Sequence, residues 1–565
     1  MRSLQRFLVL DALIMGVVGA AAARLFSWLL DLVTRFGLRG VAGYAAPGLP
    51  NEGGVLHQVI GPHGLWLIPV VITAGGLVSG ALVYWLAPEA EGHGTDTVVR
   101  AFHRFGGRIR ARVTPLKIVT SAVTIGTGGA AGREGPTALF SAGIGSIYGG
   151  LTRRPARERR LLILIGAAAG LSAIFRSPIG TALFAIEVLY GEMDYEADAL
   201  LYTLISSIVA YTITGFFVDW QPLFQVPAAI RVTTVTAYLS YVGLGLAAGV
   251  MGALLPNVFY GGRDLFHRLP LAPHVKPALG ALGVGLMALA LPQVLGGGYG
   301  WVQMAMNGEL ALSLMLLLAV GKMAAFTLTV GSGGSGGVFA PSLFIGAMTG
   351  GALAHLFHQP PAPFVIVGMA AVFGSAGRVP IATLLMVTEM TGGYHLLAPA
   401  ALAVSVGSLA QSYLSRRLPY GSLYEAQVRD RYHSPAHHAD TLRHTLQYLS
   451  QNQETSASGE LVSLFERLLR RRSLALPDGY LLLSGRLRED SPCVGSLIKE
   501  FCLFRGGGGG DVIYVVRDGQ GLRPRHLLRL QAGDLLLVLA PRSDLPQLRR
   551  HLDFAALTES SRPTA

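Results

Sequence analysis

Two glycine-rich segments lying 205 residues apart constrain this chain more than any other feature. Gly126-Thr-Gly-Gly-Ala-Ala-Gly-Arg-Glu-Gly-Pro136 can be laid over Gly331-Ser-Gly-Gly-Ser-Gly-Gly-Val-Phe-Ala-Pro341 with five of eleven positions identical. A second pair follows at an offset of 202 residues. It is Arg176-Ser-Pro-Ile-Gly-Thr-Ala-Leu-Phe-Ala-Ile-Glu187 over Arg378-Val-Pro-Ile-Ala-Thr-Leu-Leu-Met-Val-Thr-Glu389, in which Arg, Pro, Ile, Thr, Leu and Glu recur. Glycine tracts look alike by chance, but two motifs in one order at matched spacing mark a duplication. The pattern alone leaves open whether the halves run parallel or inverted.

The motifs sit in apolar sequence. Only 43 of residues 1–420 are charged, against 35 of the last 145. A soluble protein carries about 25% charged residues, so the first part reads as lipid-embedded and the last as soluble. Long apolar runs recur near 65–88, 115–151, 161–190, 201–218, 235–258, 275–296, 310–330, 338–358, 363–376 and 380–410. Several fall short of the roughly 20 residues a spanning helix needs or are cut by Gly and Pro. Broken helices inside a membrane are tolerated where they are buried or line a cavity. Duplicated halves with broken segments at matching positions point to a transport site at the repeat interface.

This pattern excludes a disordered chain, a disulfide scaffold and a secreted soluble domain. No nucleophile–base pair or metal cluster marks the apolar body, so no enzyme and no cofactor is expected. The net charge of +12 follows the positive-inside pattern rather than a nucleic-acid surface, because the cations cluster between hydrophobic runs. Thr152-Arg-Arg-Pro-Ala-Arg-Glu-Arg-Arg160 is placed in the cytoplasm, as are Arg2 and Arg6 before the first run. Residues 7–32 are longer than a signal peptide's core and are interrupted by Asp11 and Arg24, so they read as membrane body. Cys493 and Cys502 lie in a tail that the cytosol would keep reduced.

The expected organisation is a transmembrane domain over 1–420 with repeat halves near 60–220 and 235–412. A linker follows at 421–475, then a small domain at 476–556 and a disordered end at 557–565. In the small domain, strands are expected at 480–483, 511–516 and 534–540, with a flexible glycine loop at 506–510 and a helix at 545–552.

Both glycine motifs stand directly before a proline that opens an apolar segment. Proline is favoured in the first turn of a helix, and the glycines before it can expose backbone N–H groups. Free N–H groups plus the helix dipole bind anions. Two such sites, one from each half, would hold an anion by partial charges, which suits an ion that must also leave. Glu134 is an ionisable residue inside the first motif. Its carboxylate can compete with the anion and should leave when protonated, which makes it a candidate gate and proton carrier. The alternative is a helix-capping glutamate. A nucleotide loop is excluded because neither motif ends in Gly-Lys-Ser/Thr.

At these residues the chain resembles the CLC family of chloride channels and chloride/proton antiporters over roughly residues 10–430. The likeness includes Gly132-Arg-Glu-Gly-Pro136, Gly337-Val-Phe-Ala-Pro341, Val367-Gly-Met-Ala-Ala371 and Glu389-Met-Thr-Gly392. It implies an all-α polytopic fold, an inverted repeat of tilted and broken helices, and a homodimer with one anion path per subunit. It also implies that Glu134 is the gate and that the backbone of Val338 and Phe339 forms the central anion site beside Gly135 and Gly337. Tyr424 matches a tyrosine whose hydroxyl contacts that anion. Two positions depart from the family pattern. The family's Gly-Ser-Gly-Ile-Pro is Gly92-His-Gly-Thr-Asp96 here, so His93 stands where a serine donates to the anion, and it either donates N–H or turns away. Asp96 is expected to cap a helix. Val188 occupies the position of the inner proton glutamate of many family antiporters, which favours passive conduction. Glu187 recurs as Glu389 and is expected to be structural.

The tail, from Asp490-Ser-Pro-Cys-Val-Gly495 through Val515-Val-Arg-Asp-Gly519 to 530–538, resembles the RCK-C or TrkA-C module, a small cytosolic α+β domain. The expected function is gated chloride transport, channel-like, with other halides or nitrate as further substrates. The alternatives are chloride/proton antiport through Glu134 alone and a membrane sensor signalling through the tail.

Overall fold

A computed structural model of the chain describes residues 2–226, 235–431 and 434–437, together with 474–475, 480–497, 511–517, 520–522, 528–541, 548 and 552–553 of the tail. The expected glycine loop at 506–510, nearly all of the expected helix at 545–552, Cys502 and the end at 557–565 lie outside the described residues. The chain divides into two compact units, Met1–Phe102 with Gly107–Arg431, and His103–Gly106 with Tyr432–Ala565.

The first unit is helical apart from one two-residue strand pair. Among the described residues, seven helices are long and apolar enough to cross a membrane, from Phe7–Val41 to Tyr394–Ser415. Others are too short. Pro178–Glu187 and Pro380–Thr391 have 10 and 12 residues, about 15–18 Å of helix, against a hydrocarbon core of ~30 Å.

The breaks follow the sequence motifs, and they break runs that hydropathy alone reads as continuous. Run 115–151 divides into Val113–Gly126 and Glu134–Leu151, and run 161–190 into Ala156–Phe175 and Pro178–Glu187. The first division comes at Gly128, whose φ of 116° suits glycine alone, and Gly333 repeats it at 102°. In both turns a glycine amide closes back on a threonine carbonyl, Gly129 on Thr124 at 2.9 Å and Gly334 on Thr329 at 3.2 Å. The second kind of break explains the recurring Arg-X-Pro. The helices Ala156–Phe175 and Pro361–Gly377 end at Arg176 and Arg378, both left-handed, and proline opens the next helix two residues on.

The halves are related by a two-fold, which answers the question of orientation. Gly132 and Gly337, equivalent residues, pair with each other antiparallel, N–H to carbonyl at 2.8 and 2.7 Å. A residue meets its own repeat mate in this reciprocal way only beside a two-fold axis. Glu187 and Glu389 repeat the relation. The Glu187 carboxylate, at the end of Pro178–Glu187, accepts from the Ile381 and Ala382 amides at 3.2 and 2.7 Å. Glu389, at the end of the opposite helix, accepts from Ile179 and Gly180 at 3.2 and 2.8 Å and from the Ser177 hydroxyl at 2.5 Å. Each glutamate caps the N-terminus of the other half's helix, where orphan N–H groups and the dipole favour a carboxylate.

The first unit runs on to Arg431 rather than stopping near 420. The added segment is bound into the helices. Leu423 N–H donates to the Ala376 carbonyl at 2.9 Å, and the Tyr260 hydroxyl donates to the Leu423 carbonyl at 2.7 Å.

In the second unit, strands Tyr480–Leu487 and Asp511–Arg517 flank Leu535–Pro541, both antiparallel to it. The expected strands are present, the first running four residues further. Arg517 holds the buried Asp534 with two hydrogen bonds of 2.8 Å. Cys493 is buried among the apolar side chains of this sheet.

Candidate anion pathway

Glu134 and Phe339 are equivalent residues, and each begins a helix, Glu134–Leu151 and Phe339–Leu356. Amides in a first turn have no carbonyl four residues back inside the helix, so both turns present N–H groups. The backbones meet closely enough that a side chain on Gly135 would strike the His93 carbonyl, and one on Gly337 would come within 2.7 Å of the Gly135 nitrogen. This contact requires glycine on both sides. It also corrects one expectation. Gly337 offers no free N–H to an anion, because it donates to the Gly132 carbonyl. Its part is the close approach of the two helix ends.

The Glu134 carboxylate is folded back into this junction and is 1% exposed. Its Oε1 accepts a hydrogen bond from the Tyr299 hydroxyl. Its Oε2 is buried without a hydrogen-bond partner and lies beside Gly132 and the Ala340 amide of the other half. A carboxylate therefore occupies the meeting point of two N-terminal turns, whose N–H groups and dipoles favour an anion. Arg133 stands over the Tyr299 ring, 5.7 Å from its centroid, and is tied to Glu52 at 2.6 Å.

The remaining predicted residues gather in an aromatic cluster. Phe339 packs on Phe175 and Phe373, with ring centroids 4.4 and 4.2 Å apart, and on Phe184 at 6.1 Å. Tyr424 approaches Phe184 and Phe373, and His93 lies 5.7 Å from Tyr424. All are buried. Val338 precedes the helix, and its carbonyl accepts from the Ser342 N–H and hydroxyl. A cavity of about 470 Å³ opens beside Tyr424 and is lined by Arg378, Ser422, Glu425, Gln427 and Arg429 among others.

His93 uses one ring nitrogen locally, with Nε2 3.3 Å from Asp96 Oδ2. Its Nδ1 is buried without a partner. Asp96 lies in the first turn of Thr95–Arg104 and also accepts from the Ala426 amide at 3.2 Å, so it ties the His93 turn to the Tyr424 loop. Val188 is buried at the end of Pro178–Glu187.

The sequence reading missed the groups that hold these turns. Lys117 and Lys322 are fully buried. Lys117 donates to the Ala90 and Gly92 carbonyls at 2.9 and 2.6 Å, and Lys322 to the Val294 and Gly296 carbonyls at 2.8 and 2.5 Å. The signal was present, since the chain has only four lysines and these two stand 205 residues apart. Tyr299 was missed as well. It follows Gly296-Gly-Gly, the counterpart of Gly92-His-Gly.

Comparison with known proteins agrees with this geometry. The family of voltage gated chloride channels matches residues 75–412. The chain belongs to the CLC family. A TrkA-C domain matches residues 485–553, so this CLC protein carries that module in its tail. A ClcB-like chloride channel protein of Ralstonia nicotianae is 32% identical over 353 residues, covering 60% of this chain and 82% of that protein. The H(+)/Cl(-) exchange transporter ClcA of Cronobacter sakazakii is 28% identical over 427 residues, 73% of this chain and 87% of its own length. Among solved structures, a CLC-type fluoride/proton antiporter aligns with a TM-score of 0.63 at 25% identity, covering 75% of this chain and 98% of that one. A slow cyanobacterial Cl-/H+ antiporter aligns at 0.62, again with 25% identity, over 73% of this chain and 94% of its own.

Proposed function

We propose that the chain carries chloride through a CLC-type pathway, one per subunit of a homodimer, with Glu134 as the gate and with passive, channel-like conduction. The reading rests on Glu134, whose carboxylate fills the point where two N-terminal turns offer N–H groups. Protonation would remove its claim on those groups and let an anion take its place, so flux should rise as pH falls. Phe339, Tyr424, His93 and the backbone around Val338 and Gly135 line the continuation toward the cavity beside Tyr424. The cytosolic side is assigned to the 152–160 cluster and both termini, in a multi-pass arrangement in the cell inner membrane. Bromide, nitrate and fluoride are candidate further substrates. The TrkA-C module is assigned a regulatory or dimer-stabilising part.

Chloride/proton exchange is the second reading, favoured by the names of the exchange transporters among the relatives. Val188 supports conduction over exchange, because an aliphatic side chain cannot pass a proton inward. Purified protein in proteoliposomes decides between them. Passive conduction predicts chloride flux down its gradient with no proton movement, and proton pumping driven by a chloride gradient contradicts it.

A further inference from the structure

Tyr299 touches the proposed gate. It is the first residue of Tyr299–Met306 and follows Gly298, which adopts a left-handed φ of 81°. The turn is rigid by construction. Lys322 holds the carbonyls of Val294 and Gly296, and a side chain on Gly298 would come within 2.5 Å of the Phe344 ring. A side chain on Gly300 would strike the Pro47 carbonyl. The ring is fixed by Phe224 edge-on at 5.7 Å and by the Arg133 guanidinium over its face. All this aims one hydroxyl at Glu134 Oε1.

We infer that Tyr299 is a positioning residue that latches the Glu134 carboxylate in the shut pose, so that the pH at which the pathway opens is set by this phenol as well as by the glutamate. The inference rests on the reading of Glu134 as the gate. A phenol donates a strong hydrogen bond to a carboxylate and a weak one to a neutral carboxyl group. The latch therefore favours the ionised, shut form and releases the protonated one. The Tyr299 hydroxyl is the side-chain donor to this carboxylate, beside the Ala340 amide of the other half. The other groups facing Glu134 are Arg133, neutralised in part by Glu52 with Arg176 behind it, and Tyr424 from the loop across the junction. Arg133 also faces the Tyr299 oxygen, and it keeps Glu52 and the ring face when that oxygen is removed.

The test is chloride efflux from proteoliposomes against pH for wild type, Tyr299→Phe, Glu134→Gln and the double variant. Tyr299→Phe keeps the ring, the Arg133 contact and the Phe224 contact, and size-exclusion chromatography checks that the variant is folded. Hydrogen bonds to charged groups correspond to about one pH unit or more, so the half-activation pH should rise by about that much, with several-fold more flux at neutral pH. In the Glu134→Gln background the same change should do nothing. A profile that Glu134→Gln flattens but Tyr299→Phe leaves in place overturns the latch alone. Equal effects of Tyr299→Phe in both backgrounds also overturn it. A profile that survives Glu134→Gln overturns the gate reading itself.

Discussion

The two glycine turns at the centre of the molecule share a backbone and differ in what they present. In the first half, Gly92 and Gly94 are left-handed at φ 70° and 87°, Lys117 clamps the turn, and the helix Thr95–Arg104 follows. In the second half, Gly296 and Gly298 stand at 58° and 81°, Lys322 clamps the turn, and Tyr299–Met306 begins at the matching residue. The first turn places His93 beside Tyr424, and the second places Tyr299 on Glu134. A buried lysine amino group donating to two carbonyls is a costly device, and the chain uses it twice. Duplication supplied the frame, and the functional asymmetry resides in a few side chains mounted on it.

The buried lysines carry the largest expected effect. Lys322→Met strips the Val294 and Gly296 carbonyls of their donor, at about 1–3 kcal/mol per orphaned acceptor. After Lys117→Met, by contrast, the Ala90 carbonyl keeps the Ser335 hydroxyl at 3.2 Å and the Gly92 carbonyl keeps the Gly336 N–H at 3.3 Å. Thermal unfolding in detergent should show the larger loss for Lys322→Met. Their transport phenotypes should differ, with Lys322→Met moving the pH dependence and Lys117→Met moving anion selectivity. Identical transport phenotypes would mean that the two turns do not serve separate sites.

The reciprocal caps give a smaller and more symmetric effect. Glu187→Gln and Glu389→Gln keep one acceptor and lose the charge at the opposite helix N-terminus, a cost of about 1 kcal/mol each. Matching losses of thermal stability and an unchanged chloride flux are expected. Chloride-driven proton movement in wild type that Glu187→Gln alone removes would give this residue a part in it.

The smallest effect is expected at His93. Its ring lies beside Tyr424, its Nδ1 is buried without a partner, and Asp96 holds the other nitrogen. His93→Ser should shift the chloride-to-nitrate preference by a few-fold and leave the half-activation pH in place. An altered half-activation pH would move part of the pH response from the Glu134 end to the Tyr424 end.

Much of this was legible in the sequence. The offsets of 205 and 202 residues revealed the duplication, and glycine before proline marked both helix starts. The recurrence of Glu187 as Glu389 foretold a structural pair, although not that each caps the other half. Hydropathy joined 115–151 into one run, because glycines with positive φ interrupt a helix without interrupting its apolarity. Tyr299 was not legible as a gate partner, since its meeting with Glu134 spans 165 residues and depends on the two-fold. The aromatic cluster was hidden for the same reason, with Phe175, Phe184 and Phe373 looking like ordinary apolar residues until three helices bring their rings together.

Above all, we propose that the Glu134 carboxylate plugs an anion site built jointly by the two halves. The most direct test is chloride efflux from proteoliposomes between acidic and neutral pH, for wild type and Glu134→Gln. The prediction is a wild-type flux that rises on acidification and a variant flux that is high and flat. A variant that keeps the wild-type slope, or a wild type with no slope, would contradict it.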